Sequence, residues 1–302
     1  MNQDIFPKGS AWIEGEFVDI SQAKISILDW GFLRSDATYD VVHVWKGRFF
    51  RLDDHINRFF ESTKSLRMPC TIPRSELKKI LAGCVKHSGL KDAYVEMIQT
   101  RGISKDFQRD PRKAIPTFMA FAVPFGWILE PQNFEKGLDV IISDRKRISS
   151  KSIDPKIKNY HWLDLVCGMY EAYDLNSDTV ILTDDDDNLL EGPGFNIFCI
   201  NENGMHTPMK GILEGITRKT VLELAKEIKL PTQRGLISKK MFTSSIEIFA
   251  TSTAGGIMPI TSVNGLFIGN GSPGQFTRKL YDEYWKKHYD SNWSEDLNDI
   301  LR

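Results

Sequence analysis

The sequence carries almost no net charge: 39 Lys and Arg stand against 40 Asp and Glu, a formal −1. That balance argues against nucleic acid or an anionic membrane surface as the main partner. Cysteine is scarce, and Cys70, Cys84, Cys167 and Cys199 show no CxxC spacing. They read as reduced thiols of a cytoplasmic protein, not as a disulfide framework. Six histidines are scattered with no HExxH and no Cys/His cluster, so no metal site is expected. Apolar runs are short, AFAV at 120–123 among them, and none nears the ~20 residues that span a bilayer. The opening stretch MNQDIFPKGSAW has neither a basic segment nor an apolar one, so no signal peptide is read there. Missing too are G-x-G-x-x-G, the Walker A pattern and G-x-S-x-G, which removes the commonest nucleotide-binding and hydrolase readings.

What is present is the composition of an ordinary globular protein, 41% hydrophobic and 26% charged, with 302 residues to distribute over two domains or one large one. AWIEGEFVDI (11–20) alternates about a Gly-Glu turn and predicts a hairpin; ATYDVVHVWKGRFFRL (37–52) predicts a second, broken at Lys46-Gly47. Asp53 is placed to cap a helix that turns Ile56, Phe59 and Phe60 inward, and another helix over 74–88 ends at Gly89. Strands are expected at 93–100 and 117–124, then a linker in VPFGWILEPQNFEKG. Beyond it lie strand patterns at 138–143, 178–183, 194–201, 245–251 and 257–263, with helices over 160–174, 216–229 and 274–288. Grouped strands and separate helices predict an α+β fold. The domain boundaries follow as 1–124, a linker over 125–136, and 137–302.

Four segments carry the chemistry. GITRKTVLEL (215–224) opens a helix with Gly215, Ile216 and Thr217, where free N–H groups and the helix dipole suit an anion; as a plain structural feature, Thr217 would only cap that helix. FATSTAGGIMPIT (249–261) ends a strand in small hydroxylated residues and glycine, the material of a backbone nest around a phosphate, or of a simple turn. In DNLLEGPGFNIFCI (187–200), Glu191 ends an apolar strand ahead of Gly-Pro-Gly, either as a solvated hairpin residue or as the buried acceptor of a protonated heterocycle. The tetrad Asp184–Asp187 lacks the D-x-D-x-D-G spacing of a calcium loop and reads as a hairpin tip. Finally, IDPKIKNYHWL (153–163) brings Lys156 and Lys158 to the edge of an apolar run, where one of them can serve as a nucleophilic amine. Lys158, directly before Asn159-Tyr160-His161-Trp162, is the candidate; Lys156 beside Pro155 reads as solvated.

IDPKIKNYHWLDL, LLEGPGFNIF, GILEGITRKTVLELA and STAGGIMPIT, in that order, resemble the fold type IV pyridoxal-phosphate-dependent aminotransferases, which include branched-chain and D-amino-acid aminotransferases. RSDATYDVVHVWKGRFFRLDDHINR (34–58) and YVEMIQTRG (94–102) resemble the (R)-selective amine:pyruvate transaminases within that family. The resemblance implies a smaller N-terminal α/β domain and a larger, β-barrel-like cofactor domain with flanking helices. It implies pyridoxal 5'-phosphate as cofactor, with Lys158 as Schiff-base lysine and proton shuttle and Glu191 on the pyridine nitrogen. Arg58, Ile216, Thr217 and Thr253 would form the phosphate cup, while Tyr39, Tyr94, Glu96, Trp162 and Ala254 would line the substrate space. The expected reaction is ping-pong transfer from an (R)-amine to a keto acid such as pyruvate, in a homodimer. The loop RGISKDFQRDPRK (101–113) offers Arg109 for the acceptor's carboxylate, with Lys105 and Arg112 as rivals. Arg34 departs from the histidine many amine transaminases carry. Turned inward, it would favour carboxylate-bearing substrates; turned outward, it leaves the amine reading in place. D-amino-acid or branched-chain L-amino-acid transamination and an aminodeoxychorismate-lyase-type elimination are the alternatives on this scaffold. A non-catalytic phosphate-binding protein would leave Lys158 and Glu191 without a joint purpose.

Overall fold

A computed structural model describes residues 5–302, so the first four residues of the stretch read for a signal peptide lie outside the described part. Strands Ser10–Ile13 (β1) and Glu16–Asp19 (β2) pair through a two-residue turn in which Glu14 and Gly15 both take positive φ, 52° and 90°. That geometry matches the twist of the flanking strands. A short helix, Trp30–Arg34 (α1), precedes Ala37–Trp45 (β3) and Arg48–Phe50 (β4), joined by the expected turn at Lys46-Gly47. Helices Leu52–Ser65 (α2) and Arg74–Ser88 (α3) follow, then strands Ala93–Ser104 (β5) and Ala114–Pro124 (β6). Asp53 is not the cap of α2. The cap is Arg51, two residues earlier and in the left-handed region, and Asp53 and Asp54 lie in the first turn, where the dipole favours them. Gly89 ends α3 at φ 64° with its N–H on Lys86 O, as its sequence position predicted.

The chain continues through Leu138–Lys146 (β7), Leu163–Asp174 (α4), Thr179–Thr183 (β8), Glu191–Gly192 (β9), Phe195–Asn201 (β10) and Gly204–Pro208 (β11). Then come Ile216–Glu227 (α5), Thr232–Gly235 (β12), Lys239–Thr243 (α6), Glu247–Ser252 (β13), Gly256–Val263 (β14), Leu266–Phe267 (β15) and Gln275–Lys286 (α7). Ser294–Asp296 (β16) and Leu297–Ile300 (α8) close it.

The chain divides into two compact units. The first runs to Gly126 and takes back Ile157–Tyr160 and His288–Arg302; the second holds Trp127–Lys156 and His161–Lys287. In the first, a seven-stranded sheet runs β16-β4-β3-β5-β6-β1-β2. Side chains alternate across it: Val42, Val44, Val95 and Met97 pack with Ile56 and Phe59 of α2 and with Leu77 and Leu81 of α3. Each such fully buried side chain contributes about 1.5–3 kcal/mol. Tyr39, Val41, Tyr94 and Glu96 therefore fall on the opposite face, where Tyr39 sits opposite Ile98 and Val41 opposite Glu96. In the second unit, nine strands include the path β12-β11-β10-β13-β14-β7-β8. Their core gathers Val140, Ile181, Ile197, Ala250 and Ile260.

The α+β, two-domain expectation holds in this arrangement. Some boundaries moved for identifiable reasons. β5 and β6 extend into the stretch read as loop, since Ile103 pairs with Ile115 past a shift at Gly102. Gly102 has φ 74°, and a Cβ there would collide with Ile115 O. α4 starts at Leu163 and not at 160, because Ile157–Tyr160 are drawn onto β3. There Thr38 Oγ1 and Tyr39 N both donate to Lys158 O, at 2.6 and 3.1 Å. Among the described residues, no helix is long and apolar enough to cross a membrane, and no His/Cys/Asp/Glu cluster could hold a metal.

Candidate active site

Two hydrogen bonds to its carbonyl fix Lys158 on the face of β3 that carries Tyr39. Its Nζ lies 4.3 Å from the centroid of the Tyr39 ring. The Tyr160 ring stacks on Tyr39 as well, with centroids 4.3 Å apart and planes at 11°. Lys156, two residues earlier, is exposed and pairs with Glu214 at 3.4 Å. The difference between the two lysines is thus one of surroundings: only Lys158 is half-buried against aromatic rings.

Beside this amine lies Glu96, 7% exposed. Its Oε1 accepts from Tyr160 OH at 2.5 Å and its Oε2 from Tyr94 OH at 3.1 Å. Burial pushes the Glu96 carboxyl above the usual range, against the pull of Tyr160, Lys158 and Tyr94 toward the ionised form. Burial, then the nearby Glu96 charge, also pushes the Tyr94 and Tyr160 phenols up, so both remain hydrogen-bond donors at neutral pH. Tyr160 was not among the site residues named from the sequence. Its only signal was its place two residues after Lys158.

On the helix face of the same sheet, Arg58 of α2 donates to Asp40 of β3 through Nε (2.7 Å) and Nη2 (2.9 Å). His55 Nδ1 and Val41 N also bond Asp40 Oδ1, each at 2.8 Å. Burial alone would raise the Asp40 carboxyl, but the Arg58 charge and His55 hold it well below the ordinary range. The guanidinium proposed for a phosphate is therefore pre-oriented by a two-point carboxylate clamp. Asp40 escaped the sequence reading, though an acid amid the apolar residues of β3 was a usable sign of a buried ion pair.

In the second unit, Glu191 stands on β9, 6% exposed. Its Oε2 accepts from Leu213 N at 2.9 Å and from Asn196 Nδ2 at 3.4 Å, and its Oε1 from Arg147 Nε at 3.3 Å. The solvated-hairpin alternative for Glu191 does not match this burial. Gly215 packs on the same support, since a Cβ there would collide with Asn196 Oδ1. α5 begins immediately afterwards at Ile216, with no side chain capping it. Thr217 is the second helical residue, so it is not the cap, and it is buried with Ile216. Thr253 and Ala254 lie half-buried where β13 ends, and Ala254 N donates to Ser252 Oγ at 3.1 Å. Trp162 precedes α4, close enough to Gly194 that a Cβ there would sit 3.5 Å from its ring.

The remaining expectations concern cations on the first unit. Arg34 is exposed and stacks over the Trp30 ring at 3.6 Å. In the loop after β5, Lys105, Arg109 and Arg112 are all exposed, and Arg112 is bound to Asp110 through Nε and Nη2.

Residues 37–263 match the protein family described as amino-transferase class IV. This chain belongs to that family. It is 31% identical over 276 residues to a putative branched-chain-amino-acid aminotransferase of Methanocaldococcus jannaschii, covering 90% of this chain and 94% of that one. It is 28% identical to a D-alanine aminotransferase of Bacillus licheniformis, covering 88% and 92%. Its fold is that of the Escherichia coli branched-chain amino acid aminotransferase, with TM-score 0.91, 23% identity and coverage of 96% and 99%. A branched-chain amino acid aminotransferase from Thermobaculum terrenum, solved in its PLP form, gives TM-score 0.86 at 24% identity over 96% and 98%. The chain is accordingly an aminotransferase of class IV on the fold type IV scaffold. Class IV aminotransferases work with pyridoxal 5'-phosphate, the cofactor the sequence led us to expect. The residues present fit it: a half-buried amine at Lys158, a buried carboxylate with fixed orientation at Glu191, and an uncapped helix start at Ile216.

Proposed function

We propose that this class IV aminotransferase moves the amino group of an (R)-configured primary amine to a keto acid such as pyruvate, by a ping-pong route. Bound pyridoxal 5'-phosphate supplies the aldehyde that takes the amino group and the ring that accepts electrons from the substrate carbon. Lys158 would take the proton from that carbon at Nζ and deliver it to the cofactor's C4′ carbon, first as general base and then as general acid. Glu191 holds the pyridine nitrogen's proton. Arg58, Ile216, Thr217 and Thr253 bind the phosphate, and Tyr39, Tyr94, Trp162 and Ala254 line the substrate space.

The observation that carries the amine reading is Glu96, a buried carboxylate among tyrosine rings beside Lys158. Lys158, Tyr94 and Tyr160 draw the buried Glu96 carboxyl toward its ionised form, in which a substrate carboxylate meets like charge, whereas an aryl or alkyl substituent meets ring faces. The outward, Trp30-stacked Arg34 supports the same reading. The acceptor's carboxylate then needs a cation, and Arg109 on the loop after β5 is our choice, Arg112 being engaged by Asp110. A second reading, transamination of D-amino acids or branched-chain L-amino acids, draws support from the names of the relatives at 31% and 28% identity.

A donor screen with pyruvate and 2-oxoglutarate separates the two. (R)-1-phenylethylamine is expected to outpace its mirror image, D-alanine and L-leucine; a preference for either amino acid would replace the amine reading with the second one. Glu96→Gln is expected to shift the kcat/KM ratio toward D-alanine by on the order of tenfold, since one charge pair at about 4 Å is worth some 1–4 kcal/mol. An unchanged ratio removes Glu96 as the selector.

We also propose a homodimer. α4 leaves Leu163, Val166, Tyr170 and Tyr173 exposed at helical spacing, with Leu163 79% and Tyr170 66% accessible. Apolar side chains exposed at this spacing on one helix support a protein-protein contact there. The double variant Leu163→Glu, Tyr170→Glu is expected to elute as a monomer by light scattering, against a wild-type dimer.

A further inference from the structure

Glu191 does not stand alone. Arg147, which follows β7, donates to Glu191 Oε1 through Nε at 3.3 Å and to Asp164 Oδ2 through Nη1 at 2.7 Å. Asp164 lies in the first turn of α4, and it too is held: Oδ2 accepts from Ile148 N at 2.8 Å and Oδ1 from Leu165 N at 2.9 Å. The side chains of Arg147, Asp164 and Glu191 are 15%, 10% and 8% exposed, so water screens them little. The three charges alternate in sign, and the shorter contact of the guanidinium is to Asp164.

We infer that Asp164 is a positioning residue that draws Arg147 away from Glu191 and so sets how firmly Glu191 holds a proton on the cofactor's ring nitrogen. The inference rests on the reading of Glu191 as the partner of that nitrogen. A carboxylate beside an uncompensated guanidinium is a weaker proton acceptor; a nearby opposite charge moves a carboxyl by about 1–3 pKa units. With Asp164 in place, Arg147 orients Glu191 through a long bond while its charge is balanced from the other side. Without Asp164, the guanidinium turns its full charge on Glu191. Burial opposes the charge on Arg147, and Glu191 and Asp164 outweigh it; a guanidinium keeps its proton in proteins, so the cation persists when one partner is lost. Neither Arg147 nor Asp164 touches the reacting atoms in this account.

The test loads the enzyme with pyridoxal 5'-phosphate labelled with 15N in the ring and follows its NMR shift with pH. In Asp164→Asn and Asp164→Ser the ring nitrogen is expected to lose its proton on the order of one pH unit earlier than in wild type, while Asp164→Glu keeps the wild-type titration. Glu191→Gln serves as the reference and is expected to bind cofactor but shift the nitrogen further and lower kcat sharply. If Glu191→Gln leaves the nitrogen unmoved, the reading of Glu191 itself fails. If Glu191→Gln moves it and the neutral Asp164 variants follow wild type, or if Asp164→Glu behaves like them, only the role of Asp164 is overturned. Loss of cofactor in both neutral variants, with Glu191→Gln still loaded, would make Asp164 a purely structural residue and overturns it equally.

Discussion

Lys158→Ala is expected to abolish transamination while the fold survives. The loss should reach about 10⁴-fold or more, because proton transfer by a positioned side chain alone is worth 10²–10⁴ and the covalent attachment is lost as well. The side chain is half-buried and its backbone carbonyl, not its amine, receives the bonds from Thr38 and Tyr39. Truncation therefore leaves the segment docked on β3. Lys156→Ala, which removes only an exposed pair with Glu214, is expected to keep near wild-type turnover. Borohydride trapping of the bound cofactor followed by peptide mapping checks both: the label belongs on residue 158 in wild type and in Lys156→Ala. Substantial turnover in Lys158→Ala, or a label on 156, ends the assignment.

Asp40→Ala is expected to be the most destabilising single change in the first unit. It deletes the acceptor of two Arg58 bonds and of the His55 and Val41 bonds, in a position with no exposure. Breaking a buried pair by removing one partner costs about 3–5 kcal/mol, to be read from denaturant unfolding of the cofactor-free chain. The pH dependence has a definite sign. The folded-state pKa of Asp40 is depressed, so its contribution is complete above the unfolded carboxylate value of about 3.9 and fades only as pH falls through the lower folded value. Asp40's own part of the deficit should accordingly stay constant from pH 8 to pH 5 and shrink only in strong acid, while the loss of Asp40's pull on the buried His55 ring makes the Asp40→Ala deficit grow as pH falls below the ordinary imidazole range. A deficit under about 1 kcal/mol, or one that disappears near neutral pH, contradicts the clamp. Cofactor affinity should fall too, since Arg58 loses the carboxylate that orients it.

Much of the element order was legible because helix and strand periodicity are local. The turn at Lys46-Gly47 and the stop at Gly89 are written in adjacent residues, while the first hairpin turns at Glu14-Gly15, one residue before the Gly-Glu pair read from the sequence. The short parallel pair β11 and β12 was not anticipated, since Met205 meets Thr232 across an intervening helix and neither segment alternates cleanly. The start of α4 was misjudged for a related reason: nothing near Lys158 announces that its carbonyl will be taken by β3, 120 residues away. Among the candidate site residues, Tyr39, Tyr94, Glu96 and Lys158 gather on one face of one sheet. Arg34 is exposed and stacked on Trp30 instead, and Arg109 is exposed.

From the chain alone came the α+β class, the family resemblance and the candidate side chains for the chemistry, because amine, carboxylate and helix-start amides are properties of short segments. Folding in three dimensions decided which charge answers which. Arg58 finds Asp40 at a separation of 18, Arg147 finds Glu191 at 44 and Tyr160 finds Glu96 at 64. Such pairings depend on burial and on which strands become neighbours, and neither is encoded in the spacing of residues along one segment.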